Sequence, residues 1–455
     1  MLTIRNASVF CRDGAFHPGN ISIRNGVFTE EPLAPSASQS RAAGSEDPRG
    51  TSIPADFDLT ELDASGCYAI PGLVDLHFHG ALGADICDGS RAAFEKIASY
   101  EASCGITAIC PATLTLPVSH LEQVLATGAA LSRDQEAAFR QVWGSDRSQD
   151  TDRLCAAKQL RRTADLVGFN MEGPFISWKK RGAQNPDYLL PCSLEITARF
   201  LAASGGLLKI IGLAPEANPD FESYIRSVRE KVIVSLAHTD ADYDTARRAL
   251  SAGASHLVHL YDAMRDLTHR DPGPVGAAMD EIRSRSKSSG LDPEGFSRHP
   301  NQPDSPDGKN NITCEIICDG IHVHPSAVRA AFAMMGREHM ILISDSLRST
   351  GMPDGEYDLG GQAVVKKGKY CRLREEGNIA GSVSNLMDCL RTAVTEMEIP
   401  LEDAIASASL IPARKIGVDS LYGSIEVGKR GNVVLLDPKD LHVCAVVKDG
   451  EVIKC

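Results

Sequence analysis

Residues 71–80 read Pro-Gly-Leu-Val-Asp-Leu-His-Phe-His-Gly, and the rest of the chain is organised around them. The run from Ile70 to Leu76 has the length and apolar character of a buried strand. Side chains alternate along a strand, so His77 and His79 fall on one face, two residues apart. Two imidazoles so placed can grip one metal ion at about 2.0–2.1 Å. Gly80 ends the strand and opens a loop. A single histidine is ordinarily a satisfied core or surface residue. The His-x-His pair becomes a metal site only if later strands also end in ligands.

Further apolar runs of strand length follow at 106–115, 166–171, 207–213, 232–236, 256–260, 312–317 and 340–343. Between most of them lie stretches with helical spacing, such as 91–103, 243–252 and 326–337. Strand then helix, eight times over, predicts an α/β fold: a closed, parallel (β/α)8 TIM-like barrel over residues 67–356. An open doubly wound sheet would carry a glycine-rich phosphate loop after an early strand, and the sequence has none.

The two ends of the chain read differently. Residues 1–28 alternate apolar and polar (Leu2, Ile4, Val9, Phe10, Ile21, Ile23), with turns at Asp13-Gly14 and Asn25-Gly26, the pattern of a β-meander. From Gly423 to Val452 short alternating strands return, with turns at Gly428-Lys429, Asp437-Pro438 and Asp449-Gly450. Pairing the ends predicts a small flanking β domain built from 1–66 and 419–455. Residues 357–418 are a mixed segment that closes the barrel, with strands at 357–373 and helices at 385–397 and 401–409. Residues 31–58 are rich in Pro, Ser, Ala and Gly and read as an exposed loop; the polar, Pro/Ser-rich 284–310 reads as an insertion before strand seven.

Bulk composition narrows the function. With 455 residues, 43% of them apolar and 24% charged, the chain has material for one large domain and a smaller one. A net charge of −13 argues against a nucleic-acid partner, and an anionic substrate would need a local basic pocket. No run of about 18 apolar residues suggests a membrane span. The first residues lack the pattern of a signal peptide, so a cytoplasmic location is expected. Thirteen cysteines, an odd number with Cys104, Cys110, Cys314 and Cys318 in apolar runs, are expected to be buried thiols.

In a barrel of this kind chemistry sits at the C-terminal ends of the strands. Strand one is followed by His77 and His79, strand three by Glu172, strand five by His238, strand six by His259, strand seven by Asp319 and His322, and strand eight by Asp345. Any one of these is as well read as a turn or core residue. Together, on one rim, they point to a bound divalent metal. Three nitrogen or carboxylate ligands plus water suit catalytic zinc, and the same donors suit iron or manganese. Such an ion brings the pKa of bound water near 7, and a nearby carboxylate must then move the proton. Asp345 is the candidate, because it follows the last strand and is not needed as a ligand.

The sequence resembles the N-acetylglucosamine-6-phosphate deacetylases of the amidohydrolase superfamily. The match is carried by 71–80, Glu172-Gly173-Pro174-Phe175, Lys180-Arg181-Gly182-Ala183-Gln184-Asn185-Pro186, Ala237-His238-Thr239, His259-Leu260-Tyr261-Asp262-Ala263-Met264, His269-Arg270-Asp271-Pro272-Gly273, Asp319-Gly320-Ile321-His322 and Ser344-Asp345. The resemblance implies that Glu172, His238 and His259 hold a principal metal, and that His77 and His79 serve a second, which some members lack. It implies that Asp345 is the general acid/base and that His322 binds substrate and stabilises the oxyanion. Ala183, Asp262, Ala263, Arg270, Asp319, Gly320, Ile321, His322 and the Ile379-Ala380-Gly381 turn would line the sugar-phosphate site, with Arg270 on the phosphate. The partner implied is a small amino sugar phosphate, and the assembly a homodimer.

Two positions depart from the family pattern. Asp262 stands where asparagine is usual, and Gln184 where many members have histidine. A carboxylate pointing into the pocket would repel phosphate and favour an unphosphorylated acetamido sugar or an amine; N-acetylgalactosamine 6-phosphate is the other alternative, with the reaction kept and the sugar changed. A third alternative is an amidohydrolase acting on a cyclic amide or nucleobase, which a bridging lysine would favour; Glu172 at strand three counts against it.

Overall fold

The computed structural model describes residues 1–30, 60–143, 151–288 and 311–454. The expected loop at 31–58 lies outside the described residues, as does the expected insertion from 289 onward. Residues 284–288 are not part of an insertion: they finish the helix Gly273–Ser288.

Parallel strands form the barrel in the predicted order. Leu73–Asp75 pairs with Ile106–Ile109, which pairs in turn with Asp165–Leu166. The second strand resumes as Ala112–Thr113 beside Phe169–Phe175. The ladder then runs through Leu208–Leu213, Ile233–Leu236, His256–Leu257, Thr313–Ile317 and Met340–Ile343. The ring is closed between its first and last strands by individual hydrogen bonds. The Ser344 hydroxyl donates to Asp75 Oδ2 at 2.6 Å, and the Asp345 amide donates to the His77 carbonyl at 2.9 Å. The His79 and Gly80 amides both donate to the Ser346 carbonyl, at 2.8 and 3.0 Å.

The helices follow from sequence in the usual way. Arg91–Ser103 is capped by the Ser90 hydroxyl on the Ala93 amide, and it buries Ala93, Phe94, Ile97, Ala98 and Ala102, one face at helical spacing. Asn385 caps Leu386–Thr395 in the same manner. Among the described residues no helix is long and apolar enough to cross a membrane.

The expected single strand at 70–76 is in fact two. Tyr68–Pro71 lies in the terminal sheet, between Leu2–Phe10 and Val433–Leu436, whereas Leu73–Asp75 belongs to the barrel. Gly72 is the break. A Cβ there would come within 2.1 Å of Thr107 Oγ1, so only glycine permits the close approach at the point where the chain changes sheets. The terminal sheet takes the two chain ends together: Leu2–Phe10, Phe16–Arg24 and Val27–Thr29 on one side, Val433–Leu436, Val443–Lys448 and Glu451–Lys454 on the other. The run at 256–260 is likewise shorter than expected, giving only His256–Leu257 as strand. Between barrel and tail stand a three-stranded antiparallel flap (Gly355–Leu359, Gln362–Lys367, Tyr370–Leu373) and the helices Leu386–Thr395, Leu401–Ala408 and Leu410–Lys415. Cys110, Cys314 and Cys318 are buried free thiols as expected; Cys104 is free but only half-buried.

A buried ion pair fastens the terminal sheet to the barrel. Lys448 Nζ lies 2.9 Å from Asp165 Oδ2 and 2.9 Å from Asp449 Oδ2, and the Tyr422 hydroxyl donates to Asp165 at 3.0 Å. Removing one partner of a buried pair strands the others without water. Lys448→Ala should therefore cost about 3–5 kcal/mol in denaturant unfolding. A loss below about 1 kcal/mol, the range of exposed pairs, would show that the pair does not fasten the two parts.

Candidate active site

Glu172 is the centre of the site. It lies within Phe169–Phe175, a strand buried along its whole length. Its Oε1 is 2.7 Å from His238 Nε2, 3.0 Å from His259 Nε2 and 3.5 Å from His77 Nε2. Its Oε2 is 3.4 Å from His79 Nε2. On the far side of the two N-terminal histidines, Asp345 Oδ1 is 3.3 Å from His79 Nε2 and 3.7 Å from His77 Nε2. All six side chains are thus brought to one place, and all are buried.

None of the four histidines sits within its barrel strand. His77 and His79 follow Leu73–Asp75 in irregular backbone, and His238 and His259 follow Ile233–Leu236 and His256–Leu257. Strand alternation is therefore not what brings His77 and His79 together. His238, His259 and Asp345 have positive φ values of 45°, 27° and 48°. Left-handed backbone costs a non-glycine residue on the order of 1–3 kcal/mol, and it persists where the surroundings over-determine it. Here it turns the chain sharply just past three strand ends.

Ring orientation is fixed from behind. His79 Nδ1 donates to the Ala112 carbonyl at 3.1 Å, His238 Nδ1 to the Lys180 carbonyl at 2.8 Å, and His259 Nδ1 to the Asp262 carbonyl at 3.0 Å. His77 Nδ1 donates to Glu315 Oε2 at 2.8 Å. Each ring is thereby held in the tautomer that presents Nε2 as a lone pair to the centre, the arrangement metal-ligating histidines use. His77 Nε2 is buried and has no hydrogen-bond partner among the described residues. A buried polar atom is rarely left so, and a cation at the centre would satisfy it.

The electrostatics have the same sense. Burial alone would discharge these groups, but their mutual attraction wins. Glu172 is held well below the ordinary carboxylate range by the histidines around it, chiefly His77 and His238. His77 is raised well above the imidazole value by Glu315 and Glu172, and His259 is raised to about 9 by Glu172. Two carboxylates facing four imidazoles need positive charge between them, supplied by protons or by a metal ion. His77, Glu172 and His259 could hold one ion, and His77, His79 and Asp345 another. Asp345, expected to be free of ligand duty, is within reach of it.

Two residues outside the expected site set support it. Glu315 bridges His77 to His256, with Oε1 2.9 Å from His256 Nε2; despite burial, the two histidines hold its pKa down at about 2. It points inward from the seventh strand, where its apolar neighbours Ile316 and Ile317 gave the sequence reading only a strand. Gln184, noted only as a departure, donates from Nε2 to Glu172 Oε2 at 2.5 Å while its Oε1 accepts from the Thr115 amide at 2.7 Å.

Of the expected substrate residues, Asp262 adjoins this centre through His259, and the Ile379-Ala380-Gly381 turn adjoins it through Asp345. His322 Nδ1 bonds Asp319 Oδ2 at 2.8 Å, and the Ile321 and His322 amides donate to Asp319 Oδ1, folding Asp319-Gly320-Ile321-His322 into a tight turn. Burial disfavours charge on His322, but Asp319 outweighs it and raises its pKa. The Ser382 amide donates to the Asp345 carbonyl at 2.8 Å, which sets the Ile379-Ala380-Gly381 turn against Asp345. At Gly381, whose φ is 59°, a Cβ would come within 2.9 Å of that carbonyl. A Cβ on Gly182 would be 3.8 Å from Ala263, so Ala183 and Ala263 belong to adjoining loops. The Asp262 amide is taken up by the His259 carbonyl, at 2.9 Å. Its Oδ2 is buried without a hydrogen-bond partner among the described residues, and burial raises the carboxyl to about 6. Arg270 is exposed on its loop.

Comparison with known proteins gives a consistent result. Residues 68–454 match the amidohydrolase family. N-acetylglucosamine-6-phosphate deacetylase of Bacillus subtilis (strain 168) is 29% identical, over 99% of this chain and 96% of its own. N-acetylgalactosamine-6-phosphate deacetylase of Escherichia coli O157:H7 is 30% identical, over 88% and 90%. Among solved structures, a mutant of N-acetyl-D-glucosamine-6-phosphate deacetylase from Mycobacterium smegmatis, in complex with N-acetyl-D-glucosamine-6-phosphate, superposes with a TM-score of 0.75 at 25% identity, covering 100% of this chain and 99% of that one.

Glu315 offers a test of the geometry that does not depend on the reaction. Glu315→Gln should weaken divalent-metal binding about 10–100-fold, as loss of an orienting partner typically does. Titration of the metal-free protein would measure it. Wild-type affinity in a folded variant would show that Glu315 does not orient His77.

Proposed function

Because the chain belongs to the amidohydrolase family, we propose that it hydrolyses the acetamide of N-acetylglucosamine 6-phosphate, releasing acetate and glucosamine 6-phosphate. The convergence of Glu172, four Nε2 atoms and Asp345 in one buried centre carries this reading, with the names of its relatives beside it. The family is metal-dependent, and the donor set fits a cation. Glu172, His238 and His259 would hold the principal ion; His77 and His79 would serve a second, with Asp345 close enough to share it. Zinc suits these donors best, and iron and manganese are compatible. A divalent ion there supplies Lewis acidity and lowers the pKa of bound water from about 15.7 towards 7.

The protein's own residues supply the rest. Asp345 accepts the proton of the attacking water and returns it to the sugar nitrogen as the C–N bond breaks, so that the amine leaves neutral. Its burial and left-handed backbone fix it at the centre. His322, held by Asp319, donates to the carbonyl oxygen as negative charge develops there. Ala183, Asp262, Ala263, Asp319, Gly320, Ile321 and the Ile379-Ala380-Gly381 turn line the sugar pocket. Arg270 contacts the phosphate: it is exposed, and its guanidinium has no ion-pair partner among the described residues. An amino sugar phosphate as substrate supports a cytoplasmic location, and the resemblance to the deacetylases supports a homodimer. N-acetylgalactosamine 6-phosphate is the second reading, favoured by the relative from Escherichia coli O157:H7.

Acetate release from N-acetylglucosamine 6-phosphate, N-acetylgalactosamine 6-phosphate and N-acetylglucosamine tests this directly. The first should be turned over best; release from none of the three would refute the proposal. Asp345→Asn should lower kcat by about 10²–10⁴, the usual share of a general acid/base, with the fold retained. Near-normal turnover would assign proton transfer elsewhere. Arg270→Ala should raise KM for the phosphorylated sugar about 10–100-fold, the worth of a charge-assisted contact, and far less for the bare sugar. Equal effects on both would remove Arg270 from the phosphate.

A further inference from the structure

The last two strands of the flap are joined by the turn Lys367-Gly368-Lys369-Tyr370, and an open cleft of about 830 Å³ lies against it. Its walls include Ile321, Asp354, Lys367, Lys369, Tyr370 and Arg372. Ile321 is the neighbour of His322, and Arg372 is bridged through its backbone to Ile379. The cleft therefore adjoins the substrate pocket through two of its lining segments.

The charges in the cleft are unbalanced. Lys367 and Lys369 are exposed, and neither forms an ion pair among the described residues. The Arg372 guanidinium lies 5.2 Å from the centroid of the Tyr370 ring and donates to the Gly377 carbonyl at 2.9 Å, and it forms no ion pair among the described residues. Asp354 is the single acid among the cleft's lining residues, and its Oδ1 accepts from the Gly368 amide at 2.9 Å. Three cations face one anion in a chain whose net charge is −13. Like charges lining one concavity focus a field that favours an anion. Tyr370, 45% exposed, adds a ring face beside them.

We propose that this flap cleft binds a phosphate monoester dianion through Lys367, Lys369 and Arg372. That the phosphate is the substrate's own rests on the deacetylase reading; binding of the anion does not. A flap site would place fixed positive charge at the edge of the sugar pocket, in addition to Arg270, on an element separate from the barrel loops.

Calorimetric titration of the metal-loaded protein with inorganic phosphate, in wild type and in Lys367→Gln/Lys369→Gln, tests the site itself. Phosphate affinity should fall at least tenfold in the double variant and be restored in Lys367→Arg/Lys369→Arg. Equal affinity in wild type and the Gln variant would overturn the proposal. The kcat/KM ratio of phosphorylated to bare acetamido sugar then identifies the source. A tenfold fall in that ratio assigns the site to substrate phosphate; a constant ratio with weakened phosphate binding assigns it to a free phosphate ligand. If wild type releases acetate from no sugar, the deacetylase reading fails while the titration still decides the cleft.

Discussion

The structure depends on the way four imidazoles are held from behind. Each gives its Nδ1 proton to a fixed oxygen: three to backbone carbonyls, one to Glu315. That leaves four Nε2 atoms facing Glu172 and Asp345 in one buried centre. Such an arrangement is electrostatically costly unless positive charge sits among the donors, and the raised histidines and lowered Glu172 express that need. The orienting oxygens belong to different elements, so the site exists only when the barrel has closed.

Barrel closure and site assembly are for this reason one event. The amide of Asp345 bonds the carbonyl of His77, and Ser344 bonds Asp75 two residues before that histidine. The contacts that seal the first strand to the last also set the distance between Asp345 and the two N-terminal histidines, His77 and His79. The turn at Gly381 packs on the Asp345 carbonyl, carrying the Ile379-Ala380-Gly381 segment to the same point. At the other end, Gly72 hands the chain from the terminal sheet to the barrel, and Lys448 with Asp165 keeps the two in register. Stability and chemistry draw on a shared set of residues, and the strained backbone at His238, His259 and Asp345 sits where that sharing is densest.

Much of this was legible in the sequence, because hydrophobic runs and the histidines and carboxylates at strand ends are local signals. The barrel, the order of its strands and the partnership of the chain ends follow from them. What was not legible is what depends on close approach. The break at Gly72 is invisible in an apolar run that reads straight through it. Glu315 reads as an ordinary strand residue until the fold shows it between His77 and His256. The reach of Asp345 towards His77 and His79, and the use of Gln184 to hold Glu172, are likewise distances, which a sequence does not contain. Asp262 shows the converse: its departure from asparagine is plain in the sequence, while the engagement of its amide by His259 and the bare, buried carboxylate oxygen belong to the structure.

The central claim is that a cation among Glu172, His77, His79, His238 and His259 activates the water that cleaves the acetamide. Acetate release measured against metal content during stepwise chelation tests it most directly. The two should fall together and return together when zinc is restored. Full turnover in protein stripped of divalent metal would contradict it.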